Sequence, residues 1–449
     1  MPDTVVTIVG GGFAGVEAAW AAASRGIRVV LHEMRPTVQT AVHRTGDLAE
    51  IVCSNSFKSN LTTNAAGALK EEMRRLGSLV LRIAADHAVP AGEALAVDRE
   101  AFARAVTRAI EEHALIQVVR AEVPTLPPDR PLIVATGPLT SDSLAASLRA
   151  VTGHDSLAFY DAVAPTVTLE SLDLSKVFRA SRRGRGADPA ETDTADYLNC
   201  PLTREEYHAL WQELAAAEPP EPHHPDDRRI SYFDACIPVE ELARRGEKTL
   251  AFGPLKPIGL TDPRTGRRPY AVVQLRQENR EGTLWGLVGF QSQLRWSDQR
   301  RIFRRIPGLE HAEFVRLGVM HRNTYINSPR ALDEFRQVRG HPGLFVAGQL
   351  TGVEGYLESA AMGILAGWNA VRFLAGLPLV NPPDETVIGS LCRYLREAPP
   401  DRFAPMNANW GIVPDPPGPM PRDKREKGRL KSERALRAID GFVAALETP

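Results

Sequence analysis

The sequence predicts an α/β protein in which a Rossmann-like dinucleotide-binding domain is assembled from both ends of the chain, with an α+β domain inserted between them. Three observations predict it. A β-α-β unit with a G-x-G-x-x-G turn opens the chain, a second strand–glycine–helix unit lies at 343–375, and the stretch from about 200 to 306 changes to alternating strand-like runs. The expected boundaries are 1–197 and 308–412 for the two parts of the dinucleotide domain, 198–307 for the insertion, and 413–449 for a proline-containing linker and a charged helix.

The first unit begins with Val5-Val6-Thr7-Ile8-Val9, a short apolar run suited to a buried parallel strand. Gly10, Gly11, Gly12, Phe13, Ala14 and Gly15 follow. In this motif the first glycine lets the chain turn sharply, the second lets backbone N–H groups approach a pyrophosphate, and the third lets the helix pack closely on the sheet. The helix N-terminus then faces the phosphates. Glu33 lies 23 residues after Gly10, where the second strand should end. Its carboxylate can accept from both hydroxyls of an adenosine ribose and would repel a 2′-phosphate. Glycine clusters also mark plain turns, but here strand, alanine-rich helix and acid-ended strand supply the confirming context. The motif names ADP-ribose, not the chemistry.

With 449 residues the chain is long enough for two or three domains. Its net charge of −1 argues neither for nor against an anionic partner, so any basic surface must be local. Four cysteines, at 53, 200, 236 and 392, have neither C-x-x-C spacing nor the density of a disulfide scaffold. They read as reduced thiols of a cytosolic protein with no metal site. No basic stretch precedes the first apolar run, and no apolar run approaches the roughly eighteen residues that span a bilayer. A cytoplasmic protein without a membrane partner is expected.

After Glu33, Met34-Arg35-Pro36 leads through a polar segment to Glu50, and Ile51-Val52-Cys53-Ser54-Asn55-Ser56 reads as a loop able to bring a thiol to a site. Residues 65–85 have helical spacing, and Lys70-Glu71-Glu72-Met73-Arg74-Arg75 reads as a solvated face. Asp98 is placed to cap the next helix. Residues 115–123 and Leu132-Ile133-Val134-Ala135 read as strands. The latter ends in Thr136-Gly137-Pro138, which resembles the A-T-G element of two-dinucleotide-binding flavoproteins and favours FAD over NAD. With one complete fingerprint in the chain, a nicotinamide cofactor must bind without a second. Residues 180–194 read as a surface loop, and Tyr270–Leu275 and Leu284–Phe290 as strands.

Between 295 and 305, five arginines interleave with Trp296 and Phe303. Arg300, Arg301, Arg304 and Arg305 could lie along RNA phosphates, or form a solvated basic face. At 343–375 a strand feeds Gly348, then Gly352, Glu354 and Gly355, then a small-residue helix whose N-terminus would point at a flavin pyrimidine. Beyond several prolines at 414–421, Leu436, Ile439, Phe442 and Val443 follow helical spacing, as in a helix docked weakly on the body. A basic tail touching RNA is the alternative for this segment.

Taken in order, these segments resemble the TrmFO family of folate- and FAD-dependent tRNA (uracil-5-)-methyltransferases over essentially the whole chain. The resemblance is carried by the fingerprint with Glu33-Met34-Arg35-Pro36, Glu50 to Ser56, Ala96-Val97-Asp98-Arg99-Glu100 and Ala135-Thr136-Gly137-Pro138. Further along it is carried by Asp196 to Pro201, Cys236-Ile237-Pro238-Val239-Glu240, Met320-His321-Arg322-Asn323-Thr324-Tyr325, Gly352 to Ala360 and Asn409-Trp410-Gly411. It implies that 5,10-methylenetetrahydrofolate passes its one-carbon unit by way of reduced FAD to C5 of the T-loop uridine (position 54) of tRNA. NADPH or NADH would re-reduce the flavin and tetrahydrofolate would be released; no obligate protein partner is implied.

Uracil C5 is a poor nucleophile until something adds to C6, and a thiolate suits that addition because it attacks well and leaves again. By the resemblance, Cys236 is the C6 nucleophile and Cys53 the thiol that helps remove the C5 proton. Cys200 and Cys392 keep the ordinary reading of buried small hydrophobes. His321, with Arg322 and Asn323, is implied in holding the folate pterin. Besides the fingerprint, Glu33, Arg35, Thr136, Gly137, Gly348, Gly352, Glu354 and Gly355 are expected to hold FAD.

Two departures stand out. The loop 187–194 is longer than the family pattern, and Gln349 follows Gly348 where flavoproteins often place a ribityl-binding aspartate. Methylation of a ribosomal RNA uridine, a wobble-uridine tRNA-modifying flavoenzyme with a longer helical C-terminus, a small-molecule FAD oxidoreductase, and a tRNA-binding protein with structural FAD are the alternatives.

Overall fold

The computed structural model describes residues 4–40, 42–153, 157–182, 196–218 and 237–447. A five-stranded sheet runs in the order Leu344–Val346, Leu132–Val134, Val5–Val9, Arg28–His32, Ile116–Val119, with every neighbouring pair parallel. These runs are apolar because both sheet faces are covered. Ile8, Leu31, Ile133 and Phe345 are fully buried. The strand from the second unit thus joins the sheet founded by the first.

Two helices, Phe13–Ala23 and Tyr356–Leu374, lock the chain's two ends together. A Cβ on Gly363 would fall 2.2 Å from the Ala14 carbonyl oxygen, and one on Gly367 2.5 Å from that of Ala18. The helices therefore touch backbone to backbone, which only glycine permits at these positions.

A second, antiparallel sheet has six strands in the order Phe178–Arg179, Tyr197–Leu202, Ala271–Gln277, Leu284–Leu287, Thr166–Thr168, Phe314–Arg316. It draws strands from both sides of 198–307 and packs over a core containing Tyr207, Trp285, Phe290 and Phe303. The strand pair Leu157–Ala162 and Met320–Tyr325 carries the chain out of and back into the parallel-sheet body. The short strand Ser56–Ser59 pairs with Ala94–Val97 beside it.

Elements that are locally specified lie where their residues place them. Asp98 caps the helix Arg99–Glu111 by accepting from the Ala101 N–H at 2.9 Å. The 65–85 segment differs from expectation. It is two helices, Ala65–Arg75 and Leu79–Asp86, broken at Gly77 in the left-handed region (φ 81°) and restarted by the Ser78 cap.

Nor is its charged face all solvated: Lys70 and Glu72 are fully buried. The Lys70 ammonium donates to the carbonyls of Phe57 at 2.8 Å, Lys58 at 3.2 Å and Ser59 at 2.6 Å. Its three protons meet three acceptors, which offsets a desolvation penalty of several kcal/mol. Glu72 accepts from the Val387 and Ile388 N–H groups at 2.7 and 2.9 Å, capping the helix Val387–Glu397.

The C-terminal helix Lys424–Glu447 is also held more firmly than its pattern suggested. Ala435 and Ile439 are fully buried, and Lys431 donates to the Trp410 and Val413 carbonyls at 2.8 and 2.7 Å.

Candidate functional site

At the C-terminal end of the parallel sheet, Gly10 through Ala14, Glu33, Arg35, Thr136, Gly137 and Gly348 line one cavity. Gly10 turns with φ 104°, and a Cβ there would lie 2.6 Å from the Ala135 carbonyl oxygen. Gly15, outside the lining, brings its helix so close that a Cβ would meet the Gly10 oxygen at 1.8 Å. Gly12 differs, because a Cβ built on it meets nothing within 4 Å. The open space in front of Gly12, at the N-terminus of Phe13–Ala23, is the cradle a pyrophosphate needs.

Glu33 accepts from the Gly11 N–H at 2.8 Å and from the Arg35 N–H and Nε–H at 3.0 and 2.9 Å. Burial pushes its carboxyl up, but the Arg35 charge and these hydrogen bonds outweigh it and hold the pKa below the usual value. Arg35 is itself anchored to Glu50 at 2.9 Å. The result is a fixed anion at the cavity wall with one accepting direction of Oε2 left unused. These residues fit a dinucleotide with free ribose hydroxyls and disfavour a 2′-phosphate.

A second cavity adjoins the first, sharing Val52, Pro138, Gln349 and Tyr356. Cys53, Lys58, Arg276, Asn323, Glu354 and Glu358 also line it. Cys53 is half-buried, on the loop between the cradle and the strand Ser56–Ser59. Its sulfur lies 3.0 Å from the Tyr356 hydroxyl oxygen, which accepts the Val52 and Cys53 N–H groups at 3.1 and 2.9 Å.

Arginines fasten the same loop from three elements. Arg99 donates to the Ile51 and Cys53 carbonyls at 3.0 and 2.9 Å, Arg316 to the Val52 carbonyl at 2.9 Å, and Arg276 to the Ser54 hydroxyl at 2.9 Å. Arg99 is paired in turn with Glu278.

Of the residues expected to hold flavin, Glu354 and Gly355 line the second cavity. Gly352 lines neither; at φ 90° it packs so closely on the Phe403 ring that a Cβ would lie 2.5 Å away. Gln349, where an aspartate was expected, donates to Glu354 at 2.6 Å and lines both cavities.

Asn323 is fully buried in the second cavity wall, and neither its amide oxygen nor its nitrogen has a partner among the described residues. His321 and Arg322 lie on the same strand, opposite Asp161 and Tyr160. Cys236 and the loop 187–194 lie outside the described residues. Shortly after Cys236, the Val239 N–H donates at 2.7 Å to the carbonyl of Gln291, a residue of the second cavity.

The arginine helix, Trp296–Phe303, is partly committed within the protein. Arg301 and Arg305 both pair with Glu213, Arg301 also with Asp298 at 3.2 Å, and Arg304 donates to the Ala312 carbonyl at 3.0 Å. Arg300 is exposed.

Sequence reasoning assigned no role to Tyr356, Arg99, Arg276, Arg316 or the Lys58–Glu358 pair. Tyr356 stood inside a quoted motif, but its partner is 303 residues away and no spacing rule connects them.

Fold and site together define an α/β dinucleotide-binding protein with a thiol at the seam between its cofactor cradle and a second cavity. The family model described as GIDA, glucose inhibited division protein A, matches residues 5–378. The chain is 58% identical over 443 residues to "Methylenetetrahydrofolate--tRNA-(uracil-5-)-methyltransferase TrmFO" of Symbiobacterium thermophilum, covering 99% of this chain and 98% of that protein. It is 54% identical over 441 residues to the protein of the same name from Geobacter sulfurreducens, covering 98% and 99%. Among solved structures, Aquifex aeolicus GidA matches in fold with a TM-score of 0.67 at 16% identity, over 98% of this chain and 75% of that one. The chain belongs to the TrmFO family.

Proposed function

We propose that this protein methylates C5 of the T-loop uridine of tRNA, with methylenetetrahydrofolate as carbon donor, FAD as bound cofactor and NADPH or NADH as reductant. The observation that carries the reading is the position of Cys53. A cysteine stands where a dinucleotide cradle opens into a second cavity, in a chain more than half identical to proteins named for this reaction. When bound and reduced, FAD supplies the one-carbon relay and the hydride.

The chain's own groups divide the remaining work. Glu33 would hold the ribose hydroxyls, and the N-termini of Phe13–Ala23 and Tyr356–Leu374 would hold the phosphates and the ring. The Cys236 thiolate adds to uracil C6, forming a C–S bond and placing the electron pair at C5. That pair forms the C–C bond to the one-carbon unit; when the Cys53 thiolate takes the C5 proton, the electrons left at C5 free that carbon from its carrier as an exocyclic methylene, and hydride added there re-forms the C5–C6 double bond and expels the Cys236 thiolate. Asn323, whose buried amide has no partner among the described residues, offers it to a folate pterin, beside His321 and Arg322. Arg300, Arg301, Arg304 and Arg305 form the RNA contact, with Arg301 and Arg305 exchanging Glu213 for phosphate.

No described helix is long and apolar enough to cross a membrane, and an enzyme acting on tRNA works in the cytoplasm. The deciding experiment incubates the flavin-loaded protein with unmodified tRNA, methylenetetrahydrofolate and NADPH, followed by nucleoside analysis. 5-Methyluridine at the T loop is expected; its absence would overturn the reading. Cys236→Ala should abolish transfer with FAD retained, and substantial residual activity would assign the nucleophile elsewhere.

A further inference from the structure

We infer that Tyr356 is a positioning residue for Cys53: its hydroxyl donates to the sulfur and favours the ionised thiol. The inference deepens the proposed role of Cys53 and rests on it.

Counting protons identifies the donor. A phenol oxygen has one hydrogen to donate and two directions in which to accept. Both accepting directions are filled by the Val52 and Cys53 backbone N–H groups, at 3.1 and 2.9 Å. The remaining contact of the oxygen is the Cys53 sulfur at 3.0 Å, so the shared proton belongs to Tyr356 and the sulfur accepts. A neutral thiol accepts weakly and a thiolate strongly, so this hydrogen bond favours the charged form. The two N–H groups withdraw electron density from the oxygen and strengthen the O–H as a donor.

Tyr356 stays protonated while it does this. Burial, followed by the charge on Cys53, holds its phenol well above the usual range. The ring is fixed against Phe13 and Phe57, with centroids 4.6 and 6.1 Å away. The hydroxyl is thus aimed by the packing rather than free to find another acceptor.

The other charged groups around the loop do not replace this contact. Arg99 and Arg316 point at the carbonyls of residues 51 to 53, and Arg276 at the Ser54 hydroxyl. Their positive charge favours a thiolate, while Glu278 offsets Arg99. Lys58 and Glu358 are paired at 2.8 Å, and Glu354 holds Gln349. The hydrogen bond from Tyr356 reaches the sulfur itself.

The test is the pH dependence of Cys53 alkylation by iodoacetamide on the flavin-loaded protein, followed on the Cys53 peptide by mass spectrometry so that Cys236 does not contribute. Tyr356→Phe should raise the midpoint by about one pH unit, a roughly tenfold loss of thiolate below both midpoints. Placing 3-fluorotyrosine at 356 preserves shape and acceptors but gives a stronger donor, and should lower the midpoint. An unmoved midpoint in the fluorotyrosine protein, or in a folded Tyr356→Phe protein, overturns the inference; if the phenylalanine variant does not fold, the fluorotyrosine protein decides alone. The readout needs no methyl transfer. An enzyme that fails to methylate tRNA but shows the shifts would refute the proposed function and leave this inference standing.

Discussion

Gly12 and Gly15 belong to one motif, yet substitutions at them should fail in different ways. A side chain on Gly12 enters open space in the cradle, whereas one on Gly15 meets the Gly10 carbonyl oxygen. Gly12→Val is therefore expected to purify folded, with unfolding free energy within about 1 kcal/mol of the parent apoprotein, but with flavin content reduced at least tenfold. Gly15→Val should lose about 3 kcal/mol through backbone displacement, whether or not flavin is present. Absorbance per mole of protein and urea unfolding separate the two. A yellow Gly12→Val protein would remove the dinucleotide reading of this motif.

Among the elements, two buried carboxylates hold helices by their first turns. Glu72 caps Val387–Glu397, and Glu17 caps Leu79–Asp86 by accepting from the Leu79 and Val80 N–H groups at 3.1 and 3.0 Å. Burial pushes Glu72 up to about 8 and Glu17 to about 7, against the pull of these N–H donors. Because the folded-state values exceed the ordinary 4.5, the native protein binds more protons than the unfolded chain between pH 4.5 and about 8. Stability from these groups is complete below pH 4.5 and is lost as pH rises through 7 and 8. The urea midpoint should fall between pH 5 and 8.5, and Glu72→Gln should flatten part of that fall. An identical pH dependence in the variant would show that Glu72 does not titrate in this window.

The arginine helix invites a second test at this scale, since Glu213 competes with RNA for Arg301 and Arg305. Neutralising Arg300, Arg301, Arg304 and Arg305 should flatten the salt dependence of tRNA binding by roughly 0.7–0.9 in log–log slope for each phosphate that is no longer neutralised. Glu213→Gln should steepen it if the freed arginines reach phosphate. Unchanged slopes in both would mark the helix as a solvated basic face.

In the whole molecule, the cofactor body depends on residues outside the lining of the cradle. Gly363 lines neither cavity, yet it lets Tyr356–Leu374 lie against the backbone of Phe13–Ala23. Gly363→Ala gains about 1 kcal/mol of helix propensity but forces the helices apart. A net loss of about 2 kcal/mol is expected. Because the two helices carry the N-termini proposed to hold the phosphates and the ring, FAD should also bind more weakly. Calorimetry with FAD would find this; unchanged affinity would mean that each half of the cradle keeps its geometry without the other.

The sequence by itself determined the features whose causes lie within a few residues: the glycine turn, the strand that ends just before Glu33, the Asp98 cap and the return to nucleotide-fold style at Leu344. Each is a local backbone requirement, and few residue types meet it. Resemblance placed Cys53 at a site and named its reaction. Only the tertiary structure decided what surrounds it, because partners such as Tyr356, Arg99 and Arg316 come from distant elements and meet the loop through packing. The same reason explains Lys70 and Glu72, which read as solvent-facing charges until the helix ends and carbonyls that bury them are in place. Spacing along a chain reports which face a residue shares with its neighbours, and cannot report what that face will meet.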